Sequence, residues 1–159
     1  MVRIGYGFDT HRVVAGRALV LGGVSIPWDR GLDGHSDADA LLHAITDAVL
    51  GALALGDIGQ WFPNSDPRYR GISSLVLLRA VMADPRVAAW RPVNVDSTVL
   101  AERPRLAPHV PAMRQAIAEA MGIGAEAVSV KATTCEGADA VGHGEAIAAQ
   151  AVVLLERGA

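Results

Sequence analysis

From Ser36 to Ala54 the chain runs helical without a single Lys, Arg or Glu. Leu41, Leu42, Ile45, Ala48, Val49, Ala52 and Leu53 recur at helical spacing and make one apolar face. A helix on a protein surface carries charged residues on its outer side. This one carries only Asp and His, so it is expected to be buried on nearly all sides. A chain of 159 residues forms one domain with one core, and the rest of it must cover this helix. Ser36 with Asp39 three residues later reads as a capping box at its start, and Gly56 ends it.

The remaining segments supply the cover. Residues 2–12 alternate as a strand, with Ile4, Tyr6 and Phe8 against Gly5, Gly7 and Asp9. Residues 18–26 read as strand, glycine turn, strand. Residues 27–34 and 56–72 read as loops, and loops as long as the second are often functional. A helix follows over 73–83, a strand over 93–100, a helix from Pro111 to Met121, and strands over 128–134 and 146–155. That order predicts an α/β (α+β) fold: a single-domain two-layer sandwich over residues 1–159, with a mixed sheet and helices on one face.

Composition narrows the function classes. Half the residues (51%) are apolar and only 4% aromatic, and the mean hydropathy of +0.28 is high for a small monomer; apolar surface buried between subunits would account for it, and so would a plain Ala-rich composition. The net charge is −3 with no basic run, which argues against nucleic acid. Cys135 stands alone and can form no internal disulfide. No apolar stretch of signal-peptide length opens the chain. Residues 41–55, the most apolar segment, are too short and too polar to span a bilayer. The expected compartment is cytoplasmic.

Asp9 and His11 stand two apart on a predicted strand, so their side chains leave one face and can form an edge of a metal site. A solvated strand end would carry the same pair. Asp39, His43 and Asp47 fall at steps of four on the buried helix. There they are either a polar face or ionisable groups that need partners or a metal. Asp9, His11 and His43 together would leave a fourth position open, the pattern of a catalytic zinc site. Manganese and cobalt are alternatives. Asp47 is a candidate to orient His43. His35 and Ser36 stand where the helix is expected to begin, among N–H groups that favour phosphate. Asp57-Ile58-Gly59 offers a carboxylate for a sugar diol, or simply a helix stop. Lys131-Ala132-Thr133-Thr134-Cys135-Glu136 leaves a strand with two hydroxyls for phosphate oxygens and a carboxylate for a harder cation such as Mg²⁺. His109 reads as a surface-turn residue.

Five stretches, in order, carry a resemblance. They are Arg3 to His11, His35 to Asp39 with Leu42-His43-Ala44, Leu55 to Gly59, Phe62 to Pro67, and Lys131 to Thr134. Together they resemble the 2-C-methyl-D-erythritol 2,4-cyclodiphosphate synthase family over nearly the whole chain. The resemblance implies a phosphorus–oxygen lyase of the non-mevalonate isoprenoid pathway. In that reaction the 2-phosphate of 4-diphosphocytidyl-2-C-methyl-D-erythritol 2-phosphate attacks the β-phosphorus of the same molecule. The products are the cyclic diphosphate and CMP. It also implies a homotrimer with active sites between subunits.

Residue by residue, Asp9, His11 and His43 match the family's transition-metal ligands, and Glu136 the residue that holds Mg²⁺ or Mn²⁺ on the diphosphate. His35 and Thr134 match transition-state stabilisers. Ser36, Asp57, Ile58 and Gly59 match substrate-contacting positions, as does the loop Phe62, Pro63, Asn64, Ser65 and Asp66. Ala101, Glu102, Arg103, Pro104, Arg105, Leu106 and Ala107 match the cytosine pocket, and Ala132 and Thr133 the diphosphate contacts. One stretch departs. Where the family has Phe and Arg beside a cavity on the trimer axis, this chain has Ala140 and His143, and a His is only partly charged near neutral pH.

Two other readings fit the residues. A metal phosphohydrolase would release a linear product. A non-catalytic oligomer would bind CDP-type nucleotides without turnover.

Overall fold

The structure is a computed structural model that describes residues 1–157; the last two residues of the expected 1–159 domain lie outside the described residues. The chain opens with β1 (Val2–Ala15), the short strands β2 (Leu19–Leu21), β3 (Val24–Ile26) and β4 (Arg30–Leu32), and helix α1 (Ala40–Ala52). A one-turn α2 (Ile58–Trp61), α3 (Ser74–Ala83), a one-turn α4 (Pro85–Ala88) and β5 (Arg91–Leu100) follow. The chain ends with α5 (Val110–Met121), β6 (Val128–Thr133), a one-turn α6 (Asp139–Gly142) and β7 (Ala146–Glu156).

The main sheet has the order β4-β1-β7-β5-β6, and β2 and β3 form a separate hairpin. β5 and β6 are parallel and every other pair in the main sheet is antiparallel, so the sheet is mixed as expected. Helix α1 packs on β1 and β7, α5 packs on β6, and α3 packs against both helices. The burial inferred from the missing long charges is realised. In α1 only His43, Asp47 and Gly51 escape full burial.

The contact between α1 and β1 is backbone against backbone. A Cβ on Gly5 would lie 1.8 Å from the carbonyl oxygen of Ala48, and one on Gly7 would lie 1.9 Å from that of Ala44. The alternation in β1 is therefore real, but its glycine side faces the helix. Ile4, Tyr6 and Phe8 point away from the helical layer and stay 70%, 59% and 48% exposed in the single chain.

Several boundaries differ from expectation. Asp39, not Ser36, caps α1. Its carboxylate accepts from the Leu42 N–H at 3.0 Å, and also from Gly22 N–H (2.9 Å) and Gly23 N–H (2.7 Å). The cap thus ties the β2–β3 turn to the helix, which draws the helix start to Ala40. Full burial pushes the Asp39 carboxyl up to about 6, against the opposing pull of those N–H groups. The expected loop at 27–34 contains β4, which pairs with the end of β1. The expected loop at 56–72 contains α2 and a 3₁₀ turn at Pro67–Tyr69.

Two glycine substitutions separate close approach from helix propensity. Gly7→Ala places a methyl group inside a backbone carbonyl and should cost about 3 kcal/mol or more, or prevent folding. Gly51→Ala, whose nearest neighbour would be the Tyr6 oxygen at 3.7 Å, should gain about 0.5–1 kcal/mol from helix propensity. Urea denaturation of the two variants beside the parent measures both.

Candidate functional site

Asp9 and His11 continue the inward row that begins with Gly5 and Gly7. Gly7 rests on Ala44, so the next inward residue of β1 reaches the first turn of α1, where His43 stands. Asp9 Oδ2 lies 2.8 Å from His11 Nε2 and 2.9 Å from His43 Nδ1. The two ring nitrogens are 3.2 Å apart. One ligand atom from each residue falls within 4.8 Å of the others.

The outer ring nitrogens are also engaged. His11 Nδ1 donates to the carbonyl oxygen of Asp33 at 2.7 Å. A carbonyl cannot donate in return, so the neutral ring turns the lone pair of Nε2 inward. His43 Nε2 faces Ser74 Oγ at 2.9 Å and Ser36 Oγ at 3.2 Å. One carboxylate oxygen and two imidazole nitrogens, converging with room for a fourth ligand, fit a divalent transition metal such as zinc. Burial raises the Asp9 carboxyl, but hydrogen bonding and charge from His11 and His43 outweigh it and leave it at about 2. Burial lowers the His11 imidazole, yet its Asp9 partner raises it overall.

The loop beside this cluster is braced from the turn between β1 and β2. Arg17 donates from Nη1 to the Gly34 carbonyl (2.8 Å) and from Nη2 to the Ser36 carbonyl (2.9 Å). At His35 and Ser36 the helix start expected there is displaced to Ala40. Both residues precede the helix, and the next three N–H groups are engaged. Asp37 N–H bonds the Ile72 carbonyl, Ala38 N–H bonds Ser36 Oγ, and Asp39 N–H bonds Asp37 Oδ1. The expectation for Asp47 is also corrected. Its carboxylate makes no bond to His43 and instead accepts from the Ile58 N–H at 2.7 Å, so it positions α2. Asp57 caps that turn, accepting from the Gln60 backbone (2.9 Å) and side chain (2.6 Å).

A cavity of about 180 Å³ opens on the cluster, lined by Asp9, His11, His35, Ser36, His43, Ile58, Gly59, Phe62 and Asn64. Gly34, Tyr69 and Leu77 also line it, and sequence reasoning missed all of them. Asp57, Pro63, Ser65 and Asp66 are outside its lining. Asp66 still reaches the site through its carbonyl, 3.0 Å from His35 Nε2.

A second cavity, of about 450 Å³, is lined by residues 101–107 together with Ala132, Thr133 and Thr134. Next to it the Thr134 hydroxyl donates to Glu136 Oε1 at 3.0 Å. Neither cavity includes a residue of the other. β6 stands three strand positions from β1, a separation of roughly 14 Å at normal strand spacing. Glu136 and Thr134 are therefore not brought to the Asp9 cluster within one chain. His143 joins neither group. It lines a third cavity with Trp28, Asp29 and Arg30, which shares Glu102 and Arg103 with the second.

The lowered Asp9 carboxyl makes a prediction for metal-free protein. Its folded-state value lies below the unfolded one, so its stabilisation is present above about pH 4 and is lost as the pH falls through about 2. The contribution just above that window is about 2 kcal/mol. Urea titrations of Asp9→Ala in chelator should show a flatter fall in stability over that window than the parent.

Comparison with known proteins places this geometry. The YgbB family model matches residues 2–156. The 2-C-methyl-D-erythritol 2,4-cyclodiphosphate synthase of Moorella thermoacetica is 60% identical over 154 residues, covering 97% of this chain and 94% of its own. That of Chromobacterium violaceum is 59% identical, with 98% of each covered. A solved 2C-methyl-D-erythritol-2,4-cyclodiphosphate synthase in its CDP-bound form superposes with a TM-score of 0.88 at 40% identity. The match covers 97% of this chain and 100% of that one. With a match that runs from the first strand to the last, this chain belongs to the YgbB family, alongside these 2-C-methyl-D-erythritol 2,4-cyclodiphosphate synthases.

Proposed function

We propose that the chain converts 4-diphosphocytidyl-2-C-methyl-D-erythritol 2-phosphate to 2-C-methyl-D-erythritol 2,4-cyclodiphosphate and CMP, as a phosphorus–oxygen lyase of isoprenoid biosynthesis. The observation that carries the reading is the Asp9–His11–His43 cluster in a cavity that His35 and Ser36 also line. The relatives' shared name and the CDP-bound structure supply the substrate class.

A 2-phosphate oxygen forms the new bond to the β-phosphorus. The bond from that phosphorus to the bridging oxygen breaks, and CMP leaves with the electron pair. No protein nucleophile is needed, so the chain's task is positioning and charge neutralisation. Asp9, His11 and His43 would hold zinc, with manganese or cobalt as alternatives, and the bound ion would supply fixed positive charge for the diphosphate. Glu136 is assigned to a Mg²⁺ or Mn²⁺ ion carried with the substrate. Residues 101–107 take the cytosine, Thr133 and Thr134 the diphosphate, and Asp57 with the loop 62–66 the erythritol end. His35 and Thr134 face the reacting phosphates.

The two separated cavities support a homotrimer in which one chain's metal cluster meets its neighbour's β6 end. The outward row of Ile4, Tyr6, Phe8 and Val152, which is 43% exposed, supports the same assembly. An apolar sheet face of this kind calls for cover. Among the described residues no helix is long and apolar enough to cross a membrane, and a cytoplasmic location fits the pathway.

Incubating the protein with this substrate and Mg²⁺ should release CMP and give the phosphorus NMR pattern of a cyclic diphosphate. His43→Ala should lower the rate at least about a thousandfold. A linear diphosphate product, or no CMP from folded, metal-loaded protein, would sink the proposal. Sedimentation velocity tests the assembly. Tyr6→Glu should yield smaller species with unchanged secondary structure by circular dichroism.

A further inference from the structure

Behind His43, on the side away from Asp9, stands a second carboxylate that the proposed reaction does not use. Ser74 Oγ lies 2.9 Å from His43 Nε2 and 2.5 Å from Asp37 Oδ1, and the Ser74 backbone N–H bonds Asp37 Oδ2 at 2.9 Å. Ser74 is buried, with 1% of its surface exposed. It opens α3, whose cap residue Ser73 makes no side-chain capping bond.

Proton accounting fixes the direction of this chain of bonds. An ionised carboxylate only accepts, so the single hydroxyl proton of Ser74 is committed to Asp37. Ser74 Oγ can then only accept from His43, which places a hydrogen on Nε2. Ser36 Oγ accepts from the Ala38 N–H and keeps its own hydroxyl proton, but at 3.2 Å it is the longer contact to Nε2, so Ser74 at 2.9 Å governs the ring. With Nε2 protonated, the neutral ring turns the lone pair of Nδ1 toward Asp9 and His11. Left without Ser74, His43 would favour the opposite tautomer, with its Nδ1 hydrogen donated to the Asp9 carboxylate 2.9 Å away. That tautomer cannot bind a metal through Nδ1.

We propose that Asp37 and Ser74 are positioning residues that lock His43 in the Nε2–H tautomer and so prepare Nδ1 as a metal ligand. This rests on the metal reading of the Asp9 cluster given above. Hydrogen-bond partners behind metal-bound histidines typically contribute about 10- to 100-fold to metal affinity. Asp37 also caps α3 from across the loop, and a purely capping role would leave the imidazole tautomer unchanged.

The test uses the full chain with two readouts. Zinc affinity is measured by chelator competition for the parent, Ser74→Ala, Ser74→Thr and Asp37→Asn. Ring nitrogen protonation of His43 is read by ¹⁵N NMR of the metal-free protein at fixed pH. Ser74→Ala should weaken zinc about 10- to 100-fold and deplete the Nε2–H form. Asp37→Asn should do both to a lesser degree, and Ser74→Thr, which keeps the hydroxyl, should restore both. Parent protein lacking hydrogen on Nε2 overturns the proposal. So does zinc affinity within twofold of the parent in both Ser74→Ala and Asp37→Asn. Should the parent bind no zinc, the metal reading fails, while the NMR comparison still decides the tautomer lock.

Discussion

Everything at the site depends on α1 lying directly on the backbone of β1. Only glycine at positions 5 and 7 permits it, because any Cβ there would enter a helix carbonyl. That contact sets the register between a strand with a two-residue repeat and a helix with a 3.6-residue repeat. Asp9 and His11 are the next inward residues on the strand, and His43 is one turn into the helix. The three converge because the two elements cannot slide past one another. A cluster built from two rigid elements is held more tightly than one built on loops.

The surroundings of the cluster are organised around acceptors. Asp39 takes three backbone N–H groups, Asp37 holds the start of α3, and Asp47 holds α2. These acidic groups fix the loops around the cavity, but they also consume the donors with which a helix start would greet a phosphate. None of these three lines the cavity, and the carboxylate that an anionic substrate meets there is that of Asp9. Attraction must come from cations, which agrees with a site whose central feature is a ligand set for one. Arg17, whose guanidinium is bonded to the loop, is occupied with two carbonyls.

Much of the fold was legible because burial leaves a compositional trace. A helix with no Lys, Arg or Glu had to be enclosed, and strand–helix order predicted the mixed sheet. The inner face of β1 was not legible. Alternation between Ile4, Tyr6, Phe8 and the glycines has the same period whichever side is covered, and the apolar side turned out to be the outer one. The cap of α1 was misplaced because Asp39 is drawn into the core by the distant Gly22 and Gly23. At the site, residue spacing suggested Asp9 with His11, and separately His43; only the family resemblance joined them. Ser74 left no signal, since nothing local to it marks a partner 31 residues away. Asp47 was assigned to His43 by helical spacing, yet its carboxylate turned to Ile58, a choice made by tertiary packing.

The distance between the metal cluster near β1 and the Thr133–Glu136 end of β6 has a genetic meaning. If each working site draws one edge from each of two chains, a chain damaged at one edge still lends its sound edge to a neighbour. Lesions at opposite edges, carried on different copies of the gene, would then complement within a mixed assembly. Lesions at the same edge would not. The unit on which selection acted at these residues would then be the pair of facing edges, not the folded chain.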